Sequence, residues 1–73
     1  MPNLPSFKPR EIEKILLENK FYIRRQTGSH RIYHHVNTNA IVIVPFHSRD
    51  IAKGTVRGII KQSKLPLEKF LKK

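Results

Sequence analysis

Three of the four histidines lie within one short stretch of the sequence, TGSHRIYHH, at residues 27–35. Histidine is the side chain best suited to exchanging protons near neutral pH, because its unperturbed pKa is about 6.5. Acid–base chemistry on an anionic substrate needs such a group, together with positive charge that stabilises the transition state. The stretch therefore has two interpretations: a strand with a solvated polar face, or a site that transfers protons on an anionic substrate.

His30 is the candidate catalytic residue of this stretch, because a turn leads into the strand that it begins. Gly28 allows the backbone to approach a phosphate closely, and the amide and hydroxyl of Ser29 can bind one. Three arginines near His30 in the sequence can supply the positive charge: Arg24, Arg25 and Arg31. The alternative is that His30 is an ordinary solvated strand residue.

The remaining histidines give weaker candidates. His47, which follows Pro45 at the far end of a third strand, is the candidate second proton-transfer group, and water is the alternative. His34 and His35 are adjacent in a predicted strand, so they point to opposite faces and cannot share one ligand. Asp50 is the only acidic residue near a histidine in the sequence, so we expect no metal site and no other cofactor.

The charge of the chain favours a polyanionic partner. Fifteen Lys and Arg against five Asp and Glu give a net charge of +10 in 73 residues, with histidine neutral. Cations spread along the chain can displace counterions from phosphates, so nucleic acid is the leading candidate. An acidic membrane surface or an acidic protein is the alternative.

Two further features can serve RNA binding. Tyr33, if it lies on the solvent face of its strand, can stack on a base, although an aromatic residue at a strand centre more often packs in the core. Three cations follow one another at helical spacing in a second helix: Lys53, Arg57 and Lys61. They can form a basic stripe for phosphates, or they can simply be the solvated face of that helix.

The length of the chain predicts one domain over residues 1–73 with a small core. The chain has no cysteine, so it has no disulfide framework and no cysteine-based zinc site. Residues 1–10 lack the apolar core of a signal peptide, and the longest apolar run, at 40–46, is far shorter than the roughly 20 residues that span a bilayer. We therefore expect a cytoplasmic protein that does not contact a membrane.

Hydrophobic periodicity predicts the helices. Apolar residues at helical spacing predict a first helix over about 9–19, with Pro9 in its first turn. A second helix is predicted to start near Thr55 and to be broken by Pro66, and a last short helix follows. Ser48 is predicted to cap a short turn before the second helix.

Alternating apolar and polar residues predict strands over 21–25 and 30–36, and a β-branched run that is apolar on both faces and ends at Pro45 predicts a third strand over 40–45. Turns at 26–29 and 37–39 join them, since glycine and asparagine tolerate the backbone that tight hairpins need. In the second strand we expect Ile32 to face inward and Tyr33 to face solvent. Strand parity then puts His30 on the same side as Ile32, so His30 is expected to stay accessible because it is the first residue of the strand, at the sheet edge.

The resulting α-β-β-β-α order defines an α+β fold. A three-stranded antiparallel sheet has enough apolar residues to cover one face only, so both main helices are predicted to pack on that face. This is the layout of a double-stranded-RNA-binding domain. The layout by itself implies a binding module and says nothing about chemistry.

Several short motifs follow one another along most of the chain: F-x-x-x-R at 21–25, Q-x-G-S-H at 26–30, I-Y at 32–33, P-x-H at 45–47, K-G-T-V-R at 53–57 and I-I-K-Q at 59–62. In this order and at this spacing they resemble the HicA-family (YcfA-like) toxins of bacterial and archaeal toxin–antitoxin systems. The departures are Lys20 and Lys64, which occupy two positions where that family usually has glycine.

The resemblance implies a metal-independent toxin that cleaves mRNA, with the histidine of G-S-H, here His30, as the catalytic residue. It also implies a double-stranded-RNA-binding-like fold and a HicB-type antitoxin that inhibits the toxin. The residues by themselves leave a second function open, a non-catalytic RNA- or DNA-binding module in which His30 only hydrogen-bonds a phosphate.

Overall fold

The computed structural model describes residues 4–47 and 49–71. Its elements in chain order are α1 (Pro9–Glu18), β1 (Phe21–Thr27), β2 (His30–His35), β3 (Ile41–Pro45), α2 (Lys53–Ser63) and α3 (Glu68–Leu71). The strands form one antiparallel sheet in the order β1-β2-β3. The predicted α-β-β-β-α order and α+β fold are confirmed. The predicted cap at Ser48 lies outside the described residues.

The helices form where the apolar periodicity predicts them. Proline at the first position of α1 loses no hydrogen bond there, and the Lys8 amide donates to the Glu11 carboxylate at 2.8 Å across the first turn. The second helix begins at Lys53 rather than at Thr55, and Ala52 precedes it without a side-chain cap. The apolar stripe of each helix faces the core. The buried residues of this stripe are Ile12, Ile15 and Leu16 in α1, and Val56, Ile59 and Ile60 in α2.

Both helices pack on the same face of the sheet, and the core lies between them and the strands. In β3, Val42 and Val44 are fully buried while Ile41 and Ile43 are exposed. This alternation is the pleat of a sheet with only one covered face. The other face of the sheet, which we call the open face, is not covered by any part of the chain that the structure describes.

The orientation of β2 is the reverse of the predicted one. Tyr33 is fully buried, whereas Ile32 is only partly buried on the open face. The expectations that Tyr33 faces solvent and that Ile32 faces inward were therefore wrong. The physical reason is a polar partner on the helical side, because the Tyr33 hydroxyl donates to the Glu13 carboxylate of α1 and its ring is buried with that hydroxyl satisfied.

Within residues 4–47 and 49–71, three residues other than glycine have left-handed backbone conformations: Lys20 (φ 69°), Asn39 (φ 62°) and Lys64 (φ 61°). Asn39 lies in the turn region where asparagine was predicted to tolerate this conformation. Lys64 is the C-terminal cap of α2, and Lys20 follows the cap of α1. These are the two positions where the toxins that the chain resembles usually carry glycine, which adopts this conformation without steric cost.

Candidate functional site

His30 lies at the tight end of the first hairpin. It pairs with Thr27 of β1 on one side and with Pro45 of β3 on the other, and its side chain is exposed. The turn before it consists of Gly28 and Ser29, with Gly28 at φ 51°, where a side chain would be strained. His30 is thus anchored by backbone pairing on both sides while its ring is open to solvent.

The hairpin turn is also tied to the end of the third strand. The Ser29 carbonyl accepts a hydrogen bond from the Phe46 amide. Gly28 and Ser29 are both exposed, so a phosphate can approach the turn from solvent. The two predicted phosphate-binding residues and His30 therefore form one accessible corner of the sheet.

A β-bulge in β1 brings two arginines to the open face. The register shifts between Ile23 and Arg25, and Arg25 pairs with Ile32, so Arg24 and Arg25 together oppose one residue of β2. The Arg24 guanidinium lies 3.0 Å from Nδ1 of His34. Because a guanidinium only donates, this nitrogen is the group that can accept from Arg24. Both arginines therefore lie on the same face as His30, as the site hypothesis requires.

Arg31 lies on the opposite, helical side of the sheet. Its guanidinium forms an ion pair with the Glu13 carboxylate at 2.7 Å and lies 4.0 Å from the centre of the Phe46 ring. The side chain of Arg31 is 25% exposed, and its Nε is buried without a hydrogen-bond partner among the described residues. Arg31 was predicted to contribute charge beside His30, but it instead attaches β2 to α1.

Glu13 is the centre of a partly buried polar group, which also includes Arg31 and Tyr33. Burial raises the pKa of the Glu13 carboxyl, but hydrogen bonds from Tyr33 and Arg31 outweigh it, so the pKa is lowered overall. Burial and the bond to Glu13 raise the pKa of Tyr33 well above its ordinary value, and the bond to Glu13 raises that of Arg31. The sequence analysis did not identify Glu13 as a positioning residue. The feature that could have indicated it is an acidic residue among the apolar residues of α1, in a chain with few acidic residues.

Tyr33 cannot take the role that was predicted for it on the RNA. Its ring has no exposed surface, and its hydroxyl is bonded to Glu13. Base stacking requires an accessible aromatic face, which the structure gives to Tyr22 instead. Tyr22 is 42% exposed, and its hydroxyl lies 3.2 Å from Nδ1 of His34.

His47 lies away from the open face. Its Nδ1 accepts the Arg49 amide at 3.2 Å, and the ring is exposed. It lines a cavity with residues of the helical side, among them Lys8, Arg10 and Arg31, and His30 is not part of that lining. His47 is therefore placed beside Lys8, Arg10 and Arg31 in this cavity.

His35 has a structural role. It is 8% exposed, and its Nδ1 accepts the amides of Asn37 at 3.0 Å and Thr38 at 3.1 Å. The ring also contacts Phe21 edge-on, with centroids 4.9 Å apart. This histidine therefore stabilises the turn after β2, in agreement with the prediction that His34 and His35 serve opposite faces.

The predicted basic stripe of α2 is exposed along its whole length: Lys53, Arg57 and Lys61. The helix packs on the face of the sheet opposite to His30. The stripe and His30 are consequently on opposite sides of the sheet.

Within residues 4–47 and 49–71, no group of three or more His, Cys, Asp or Glu side chains is placed to hold a metal ion. No helix in these ranges has the length and apolar character needed to cross a bilayer.

The fold and the site together define a class of protein: a small, strongly basic α+β domain of α-β-β-β-α order with an exposed histidine at its first hairpin. A family model described as the HicA toxin of bacterial toxin–antitoxin systems matches residues 9–65, and the chain therefore belongs to the HicA toxin family. Comparison with individually curated proteins gave no significant match. The matched range contains every predicted site residue, from Arg24 to Lys61.

Proposed function

We propose that the protein is the toxin of a HicAB-type toxin–antitoxin system and acts as a metal-independent endoribonuclease on mRNA in the cytoplasm, with His30 as its general acid or base. The observation that carries the proposal is the placement of His30. It is an exposed imidazole fixed at a hairpin turn, on the same sheet face as Arg24 and Arg25, within the part of the chain that matches the family.

In the proposed reaction the RNA 2′-oxygen attacks the adjacent phosphorus and the bond from phosphorus to the 5′-oxygen breaks. The 2′-hydroxyl loses a proton and the leaving 5′-oxygen gains one. His30 performs one of these transfers, for which histidine is well suited near neutral pH. His47 and water are the two candidates for the other transfer.

The phosphate is proposed to sit between the hairpin turn and the bulge of β1. The exposed turn at Gly28 and Ser29 offers backbone amides to its oxygens, and Arg24 and Arg25 contribute positive charge from the same face. Arg31 and Tyr33 act indirectly in this scheme. Through Glu13 they hold β2 against α1 and so fix the strand that begins with His30.

Inhibition is proposed to come from a HicB-like antitoxin that covers His30. A protein with a net charge of +10 favours an acidic partner, and complementary charge across an interface speeds encounter and sets orientation. An antitoxin with carboxylates facing Arg24 and Arg25 would occupy the same surface as RNA, so the complex should not cleave.

The test is the His30→Ala variant beside the parent and a control, Gln62→Ala, which removes an exposed α2 side chain outside the proposed site. Cleavage of an mRNA fragment should fall by roughly 10²–10⁴-fold in His30→Ala, the usual contribution of general acid–base catalysis. RNA binding should persist, because all fifteen Lys and Arg remain. Circular dichroism melts establish that each variant is folded.

A folded His30→Ala protein that cuts RNA at the parental rate would exclude His30 as the catalytic residue. The non-catalytic binding module predicts a different pattern, in which the parent does not cleave at all and His30→Ala weakens binding.

A further inference from the structure

The open face of the sheet carries a contiguous group of apolar and aromatic side chains. Ile32 of β2 pairs directly with Ile43 of β3, and Ile43 is 46% exposed. Beside them lie Tyr22, 42% exposed, and its cross-strand partner His34. Exposed apolar groups of this kind on a small protein indicate a binding surface rather than a random distribution of residues.

Tyr22 and His34 form an ordered pair of rings. Their centroids are 5.7 Å apart at an interplanar angle of 42°, and the Tyr22 hydroxyl and the Arg24 guanidinium both lie within hydrogen-bond distance of the same His34 nitrogen. The guanidinium is thereby held next to the aromatic surface. A ring for a base and a cation for its phosphate are the two elements that single-stranded nucleic acid requires.

The charge of the open face favours an anionic ligand over a neutral or cationic one. All five acidic residues lie outside the strands, three in α1, one after β3 and one in α3. The strands therefore contribute arginines and histidines to this face and no carboxylate. A ligand that is both apolar in its flat surfaces and negatively charged along its length is the best match.

We infer that the open face is a platform for single-stranded RNA on which Tyr22 stacks against an unpaired base, with Ile32 and Ile43 as the apolar floor beside it. This inference rests on the proposed function for the position of the cut. His30 is four residues from His34 along β2, or roughly 13 Å at about 3.3 Å per residue. Tyr22 therefore stacks on a base that lies a few nucleotides from the phosphate at His30. Double-stranded RNA does not fit this surface, because its base faces are already stacked on each other.

The binding test uses the unsubstituted protein and short RNA oligomers with 2′-O-methyl groups, which lack the attacking hydroxyl and cannot be cleaved by the proposed route. Fluorescence anisotropy should show tighter binding of the single strand than of the matching duplex. Tyr22→Ala should weaken single-strand binding by roughly 5- to 150-fold, the range expected for loss of one stacked base. Tyr22→Phe, which keeps the ring, should stay close to the parent.

Leu17→Ala is the matched control, because Leu17 is exposed to a similar degree, 46%, but belongs to α1 on the helical side. It should leave binding unchanged. Equal weakening by Leu17→Ala and Tyr22→Ala, or equal affinity for the duplex and the single strand, would overturn the inference.

Methyl NMR of the unsubstituted protein gives a second test that needs no variant. Titration with the methylated single strand should shift the methyl signals of Ile32 and Ile43, while those of Ile12 and Ile59, which are buried in the core, should move little. Shifts confined to α2, or shifts of Ile32 and Ile43 only with an acidic protein partner and not with RNA, would refute the platform.

The two proposals fail separately. If ordinary RNA is not cleaved but Tyr22 and the open-face isoleucines respond as described, the platform stands and the nuclease proposal fails. If cleavage depends on His30 but the Tyr22 variants bind like the parent, the nuclease proposal stands and the platform fails.

Discussion

Replacement of Glu13 by alanine should destabilise the protein far more than its position on a helix surface suggests. The carboxylate accepts hydrogen bonds from the Tyr33 hydroxyl and from the Arg31 guanidinium, and it joins α1 to the central strand. Tyr33 is fully buried, so the substitution leaves its hydroxyl without the hydrogen-bond partner that the fold provides. The charge of Arg31 also loses its ion pair.

The expected loss of stability in Glu13→Ala can be estimated from the Tyr33 hydroxyl alone. A buried polar group left without a partner costs about 1–3 kcal/mol. For a domain of this size each kcal/mol lowers the melting temperature by roughly 4–8 °C, so the expected decrease is about 4–24 °C. Alanine is a slightly better helix former than glutamate, which offsets the loss by only a few tenths of a kcal/mol.

The assay is thermal and urea unfolding of the parent, Glu13→Ala and the control Glu18→Ala. Glu18 lies in the same helix but is exposed, so its replacement should change the free energy of unfolding by no more than about 0.5 kcal/mol. In a Tyr33→Phe background there is no hydroxyl to leave unpaired, and the cost of Glu13→Ala should shrink. This double-mutant cycle separates the hydroxyl from the rest of the helix.

The dependence on pH gives an independent check. Because the folded-state pKa of Glu13 is lowered from 4.5, the ionised carboxylate adds stability that is fully present above about pH 4.5. That stability is lost as the pH falls through the lowered pKa, so the difference between parent and Glu13→Ala should narrow in acid. Two results would refute the reasoning. One is a Glu13→Ala protein with the same melting temperature as Glu18→Ala at pH 7, and the other is a stability difference between parent and Glu13→Ala that grows on acidification.

Three further predictions concern binding, chemistry and the backbone. RNA affinity should fall steeply between low and moderate salt, because a net charge of +10 places several cations on phosphates; an affinity that hardly changes in a salt titration would contradict this. Cleavage should continue in EDTA, since the described residues form no cluster of metal-ligating side chains, and loss of activity restored by a divalent ion would overturn that view. Lys64→Gly should raise the free energy of unfolding by about 0.5–1 kcal/mol, because glycine removes the strain of a left-handed residue at the end of α2, and urea unfolding that shows no gain would argue against strain there.

The order of elements follows from local physical chemistry, and the sequence was sufficient for it. Apolar spacing of 3 and 4 residues specifies a helix, alternation specifies a strand, and glycine and asparagine specify tight turns, whatever the rest of the chain does. At two positions a single residue type was enough to predict the local structure. Pro9 predicts the start of α1, and Asn39 predicts the turn between β2 and β3. The strand pairing and the position of His30 at a hairpin turn follow from the same short-range patterns.

The assignment of faces in β2 could not be read from the sequence, because Ile32 and Tyr33 are both apolar enough to be buried. Only the packed structure decided it, through a contact between residues 20 positions apart, Glu13 and Tyr33. With Tyr33 on the helical side, Arg31 lies on that side too and pairs with Glu13, so it is not beside His30. Tyr22 is then the accessible aromatic residue of the open face. Local patterns specify where strands and helices form, whereas a buried hydroxyl and its distant carboxylate determine which side of a strand faces the core, since that choice depends on a partner that only the fold brings near.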